Sequence, residues 1–124
     1  MSNYPVRTLE LVHTALRDKL DEHATLPAQF RFYNASEALI GTVTLEKPCG
    51  SVDAGTGQLT FLPDSGVGSA NGTAARMDVL DGAGVFWVTM PCVEGVAPVS
   101  GSCVMSSLVI ETGSPIFVNS ATIG

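Results

Sequence analysis

The hydrophobic period of the chain changes once, near residue 27, and that change restricts the fold more than any other feature. Before it, Leu9, Val12, Leu16 and Leu20 recur at steps of three and four with Ala15 alongside, while Glu10, Arg17, Asp18 and Asp21 take the other faces. This is the 3.6-residue period of an amphipathic helix. Pro5 suits a first-turn position, where its absent N–H is not missed, and Pro27 forbids continuation. The expected helix, Thr8 to Glu22, is roughly 22 Å long at 1.5 Å per residue. Asp21 and Glu22 fall in its last turn, where the helix dipole disfavours acidic groups, so packing has to hold it. Burying the four aliphatic side chains contributes at most on the order of 6–12 kcal/mol. The stripe either covers the β domain that follows or docks on a neighbouring subunit.

After residue 27 the period is two. Gln29–Tyr33 alternates Phe30 and Phe32 against Gln29, Arg31 and Tyr33. Leu39–Glu46 sets Leu39, Val43 and Leu45 against Thr42, Thr44 and Glu46; Gln58–Leu62 turns Leu59 and Phe61 inward. Thr73–Leu80 groups Ala75, Met77 and Val79 opposite Arg76 and Asp78. Each is the pattern of a half-buried strand. Asp81-Gly82-Ala83-Gly84 interrupts the pattern before a new apolar run, which is a hairpin signal. In that run Val85 and Trp87 occupy one face and Phe86, Val88 and Met90 the other, so the strand is either covered twice or faces a partner. Cys103–Thr112 and Ile116–Ile123 add two more strands. Seven β segments without βαβ alternation predict a mainly β fold: an antiparallel β-sandwich or jelly-roll-like domain over residues 28–124, preceded by a helical arm at 1–27. At 124 residues the two parts form a single structural unit. The longest loops are expected at Pro63–Gly72 and Pro91–Gly101.

Charge is distributed unevenly. Residues 1–47 hold 5 basic and 6 acidic groups, whereas residues 48–124 hold 6 acidic groups and one basic group, Arg76. An ordinary soluble surface carries about 25–35% charged residues. The shortfall fits either a hydroxyl-rich β surface or a surface covered by partner chains, because interface cores are depleted of charge. With a formal charge of −6 and no basic cluster, a nucleic-acid partner is not expected. Nor is a membrane span, since no apolar run approaches the roughly 20 residues required. The N-terminus, Met1-Ser2-Asn3-Tyr4-Pro5, lacks the basic-then-apolar pattern of a signal peptide.

Catalytic patterns are absent from the sequence. His13 and His23 stand ten positions apart, without the i,i+4 spacing of a helical metal site, and read as solvated helix residues. No Gly-x-Ser-x-Gly elbow occurs. Asp53-Ala54-Gly55-Thr56-Gly57 lacks the ligand positions of a calcium loop and reads as a hairpin turn. Gly82-x-Gly84 lacks the third glycine and helix of a dinucleotide site. Glu37, Glu46 and Glu111 fall on separate elements, so no acid pair for glycoside chemistry is assigned. Cys49, Cys92 and Cys103 have no metal-ligand spacing and read as buried thiols. At least one of the three is free or pairs between chains, and Cys92 could meet Cys103 across a hairpin. Phe86 and Trp87 could form a sugar-stacking platform, but strand aromatics belong more often to a core. No catalytic residue, cofactor or metal is therefore expected.

The order Phe30-Arg31-Phe32-Tyr33, Leu39-Ile40-Gly41-Thr42-Val43-Thr44-Leu45, Pro48-Cys49-Gly50-Ser51-Val52, Gly57-Gln58-Leu59-Thr60-Phe61 and Gly72-Thr73-Ala74-Ala75-Arg76-Met77-Asp78-Val79-Leu80-Asp81-Gly82 follows the opening helix. In that order and spacing the chain resembles a family of small structural proteins of tailed bacteriophages and prophages. The likeness covers roughly residues 7–112 and contains no catalytic motif. The chain departs from the family pattern after Met90, where Pro91–Ser102 and Ile116–Ile123 are particular to it. The resemblance implies a non-enzymatic virion component, foremost a capsid decoration or cement protein, assembled in the bacterial host cytoplasm. Neck, collar or tail are alternative locations. The implied partners are the major capsid protein or other virion proteins and further copies of this chain in a homo-oligomer. No functional residue transfers from the family. The apolar patterning nominates Leu9, Val12, Leu16, Leu20, Phe86, Trp87 and Val88 as interaction residues. A glycan-binding adsorption module using the long loops or exposed aromatics is the alternative from a different class.

Overall fold

The computed structural model describes residues 5–124; the first four residues of the expected 1–27 arm lie outside the described residues. The chain is mainly β, 48% strand, with one N-terminal helix. Helix α1 (Val6–Leu20) precedes β1 (Gln29–Tyr33), β2 (Leu39–Val52), β3 (Leu59–Gly68), β4 (Gly72–Thr73), β5 (Arg76–Leu80), β6 (Phe86–Glu94), β7 (Cys103–Met105), β8 (Val109–Ile110) and β9 (Val118–Ile123). Seven strands close into a barrel in the order β1-β2-β3-β9-β7-β6-β5, while β4 and β8 pair as a separate ribbon.

The expected sandwich is thus replaced by a closed barrel. Long strands that change register make closure possible, because irregular pairing bends a strand around a small core. β2 runs for 14 residues, and its pairing with β3 jumps from Leu45 to Gly50 across Pro48, which has no N–H to donate. The loop expected at Pro63–Gly72 is largely strand, since β3 continues to Gly68. β6 likewise extends to Glu94 into the predicted loop. Conversely, the predicted strand Cys103–Thr112 divides into β7 and β8, and Thr73–Leu80 divides between β4 and β5. Nor is the sheet wholly antiparallel: β6 and β7 pair in parallel.

The alternation expected in β1 is observed. Phe30 and Phe32 are fully buried, and Phe30 meets the edges of Phe32 and Phe61 at ring-centroid distances of 6.4 and 5.6 Å. Val43, Leu45, Leu59, Met77, Val79 and Met90 complete this interior. Leu39, however, points outward and Ile40 inward, because the β1–β2 register shifts beside Tyr33. Ala75 is also exposed rather than grouped with Met77 and Val79, as it precedes the first residue of β5.

Helix α1 lies against β2 and β3. It starts as Thr8 and Leu9 N–H donate to the Pro5 carbonyl. It ends two residues earlier than expected, at Leu20. Asp21 sits just beyond, and its carboxylate accepts the Cys49 N–H at 3.0 and 3.1 Å. An acid unfavourable inside the last helical turn is thereby used to join the helix end to β2.

Candidate interaction surface

The structure divides the seven nominated residues between packing and exposure. Leu20 is fully buried, Leu16 packs against the core, and Leu9 is half-buried against Gly57. Val12 instead faces outward, 52% exposed. His13 takes the inward position and is buried, correcting its reading as solvated. Its Nδ1 lies 2.5 Å from the Gly57 carbonyl oxygen, a buried acceptor that needs a donor. The inward row is therefore Leu9-His13-Leu16-Leu20. Outside it, Val12 joins Leu11, 71% exposed, and Val6 as an uncovered apolar face. Leu11 escaped the sequence reading because it falls outside the stripe. The only available signal was that the helix contains more large aliphatic residues than one face can bury.

The hairpin joining β5 to β6 supplies the second part. Phe86 and Trp87 are 53% and 41% exposed, so the expectation that they enter the core is overturned. Between them and Met90, Val88 is half-buried against the core. The physical reason is a register break: Val79 pairs with Val88 but Leu80 pairs with Phe86, leaving Trp87 as an extra residue. The bulge breaks the in-out alternation and leaves both aromatics at the surface.

Trp87 is nevertheless fixed. Its indole N–H donates to Asp81 Oδ2 at 2.9 Å, while Asp81 Oδ1 accepts the Ala83 and Val85 N–H groups, each at 2.9 Å. The hydrogen bond from Trp87 is the main cause holding the Asp81 carboxyl below the usual carboxylate range; burial opposes it, and the two backbone bonds reinforce it. The Lys19 ammonium lies 5.9 Å from the Trp87 ring centroid and also pairs with Glu22 at 3.0 Å. Lys19 shares a helix row with Leu11 and Ala15 at four-residue steps, so that row runs toward Trp87. The chain leaving the helix reinforces this junction. His23 Nδ1 accepts the Thr25 and Leu26 N–H groups, and the Leu26 carbonyl and His23 Cβ pack against Gly82. Leu26 and Val85 add exposed apolar surface beside the aromatics.

Two further groups of ionisable side chains are engaged in structure. Asp53 Oδ1 accepts the Gly55 and Thr56 N–H groups at 2.6 and 3.2 Å, closing the β2–β3 hairpin as its sequence suggested. Arg76 contacts Glu37 at 2.8 Å and Asp78 at 3.3 Å, with its guanidinium 4.4 Å from the Tyr33 ring centroid. A shallow cleft follows the β4–β8 ribbon between Asn71–Thr73 and Val109–Thr112, with Glu111 as its ionisable side chain. Among the described residues no group of three or more His, Cys, Asp or Glu could hold a metal, and no helix is long and apolar enough to cross a membrane. Comparison with models of known protein families, with curated proteins and with solved structures returns no match for this chain.

Proposed function

We propose that this chain is a structural subunit of a tailed-bacteriophage particle, foremost a capsid decoration protein, held to neighbouring virion subunits through its exposed apolar surface. The observation that carries this reading is the presence of an uncovered helix face (Val6, Leu11, Val12) together with two exposed hairpin aromatics, Phe86 and Trp87, of which Trp87 is fixed by Asp81. Large exposed apolar side chains mark association sites when they cluster, and rigid aromatics lose little freedom on binding. The resemblance of the sequence to phage structural proteins supplies the class of partner: the major capsid protein, other virion proteins and further copies of this chain. A particle presents many equivalent positions, so a modest contact per subunit is multiplied by avidity.

The test uses particles purified from cells that produce this chain with its neighbouring genes. The chain is expected in intact particles at a fixed ratio to the major capsid protein. A Leu11→Asp/Phe86→Asp variant with an unchanged circular dichroism spectrum is expected to be missing from them or reduced at least tenfold. Absence of the unaltered chain from purified particles would reject the virion role. Incorporation of the folded variant at the normal ratio would reject the surface.

A further inference from the structure

The three cysteines are all buried, yet they do not have equivalent surroundings. Cys49 belongs to the seam between β2 and the helix: its N–H donates to Asp21, and its thiol faces the Arg17 carbonyl at 3.9 Å. Cys92 and Cys103 face each other. They are register partners at the start of the parallel β6–β7 pairing, and both side chains belong to the hydrophobic core. Strands in such a pair lie about 4.8 Å apart, and partner side chains project to the same face. A disulfide accepts Cα separations of roughly 4.4–6.8 Å, so the backbone already has the spacing a cross-link needs.

Their position gives a cross-link mechanical consequence. The β6–β7 seam has three register pairs, Cys92–Cys103, Val93–Val104 and Glu94–Met105, and it is the barrel's parallel junction. Parallel pairing is slightly weaker per residue than antiparallel pairing. We infer that Cys92 and Cys103 are a modification site: they form an intramolecular disulfide that staples this seam when the folding chain meets a thiol–disulfide oxidant such as oxidised glutathione.

The exchange balances in two steps. The Cys92 thiolate attacks one sulfur of oxidised glutathione, forming a mixed disulfide and releasing one glutathione thiolate. The Cys103 thiolate then attacks the Cys92 sulfur, forming the Cys92–Cys103 bond and releasing the second glutathione. The two protons lost by the cysteines end on the two released glutathiones, and oxidised glutathione takes the two electrons. The hydrogen bond with Cys92, followed by burial, pushes the Cys103 thiol well above its usual range. Both causes keep the Cys103 thiol protonated in the closed barrel, which slows exchange there, and burial shields the finished bond from reductants.

The experiment refolds the full chain from denaturant with oxidised and reduced glutathione, and separately with reductant alone. Each product is alkylated under denaturing conditions and mapped by mass spectrometry. The oxidised product is expected to be lighter than the reduced one by two hydrogens before alkylation, to carry one alkyl group, on Cys49, after it, and to yield a linked Cys92–Cys103 peptide. Its melting temperature should exceed that of the reduced form by about 10 °C, as expected from restricting a loop of about a dozen residues in the unfolded chain. Cys92→Ala and Cys103→Ala variants should each lack the linked product and show no oxidant-dependent shift. Three alkylated cysteines, a link involving Cys49, or glutathione retained on Cys92 or Cys103 without the internal link would overturn the inference. So would a linked chain that melts at or below the reduced form.

Discussion

The helix face can be tested at two adjacent residues, because the hydrophobic stripe and the structure disagree only there. A stripe of Leu9, Val12, Leu16 and Leu20 makes Val12 a packing residue, whereas the structure exposes Val12 and buries His13. Val12→Asp should therefore cost within about 0.5 kcal/mol, as for surface substitutions away from special features. His13→Ala should cost about 2 kcal/mol, combining loss of the contact with the Gly57 carbonyl and an unsatisfied buried acceptor. Leu20→Ala sets the scale for a fully buried aliphatic side chain at about 3 kcal/mol. For a domain of this size, 1 kcal/mol corresponds to about 4 °C, so the melting temperatures should fall by about 2, 8 and 12 °C respectively. Thermal melts followed by circular dichroism, with sedimentation velocity on the folded samples, provide the readout. A loss on Val12→Asp matching that of Leu20→Ala, with His13→Ala neutral, would refute the assigned helix face.

Two further outcomes follow from the barrel and its hairpin. Asp81 has a depressed folded-state pKa, so its contribution to stability is present above the unfolded value near 3.9 and is lost as pH falls through the lower folded value. Emission from Trp87, the chain's single tryptophan, should consequently change below about pH 4 and not between pH 5 and 8, and Asp81→Asn should abolish that acid transition; a Trp87 signal titrating near pH 6 would contradict the assignment. Gly66→Ala would place a methyl against the Thr42 carbonyl and 2.5 Å from Val43 Cα, both backbone atoms of β2, and should cost about 1–3 kcal/mol. At Gly95 the same methyl would meet Val104 Cγ1 at 3.7 Å and should change stability by less than about 0.5 kcal/mol, so equal melting temperatures for the two variants would show that the β2–β3 approach is not limiting.

Legibility in the sequence depended on whether a signal was local. The helix and the Asp53 and Asp81 hairpins arise from contacts among residues close in the chain, the β1 alternation stands in the sequence as a two-residue period, and each was readable. Closure was not readable, because it depends on β1 meeting β5 and β7 meeting β9, pairings for which no sequence period exists. Pro63 and Gly66 read as loop residues but lie in β3, where Gly66 permits the close approach of β2. At the candidate surface, Phe86 and Trp87 were identifiable as unusual apolar residues, but their exposure depends on one unpaired residue in the β5–β6 ladder. His13 reads as a polar helix residue until Gly57, distant in sequence, presents a carbonyl to it. Cys92 and Cys103 were candidates to meet across a hairpin; they meet across parallel strands instead.

Closure also bears on how such a chain can be held by others. An open sheet offers unpaired backbone groups to a partner, and strand addition at that edge supplies affinity through main-chain hydrogen bonds. Here the seven barrel strands are joined around the ring. Where β3 extends past its short pairing with β9, the segment from Thr112 to Ile116 covers it: Gly68 N–H donates to the Ser114 carbonyl, and Ile116 N–H donates to the Gly66 carbonyl. A partner meeting the wall along β3 must therefore bind chiefly through side chains, whereas Phe86–Pro91 of β6 pairs with β5 alone and keeps one strand edge unpaired. The side chains suited to that role are the apolar ones already at the surface, and Trp87 among them is fixed by Asp81 before any partner arrives. Under the proposed role, charge poverty has a physical consequence. Fewer ions to desolvate lowers the cost of covering the surface, while the hydroxyl groups of serine and threonine can keep hydrogen bonds at the rim.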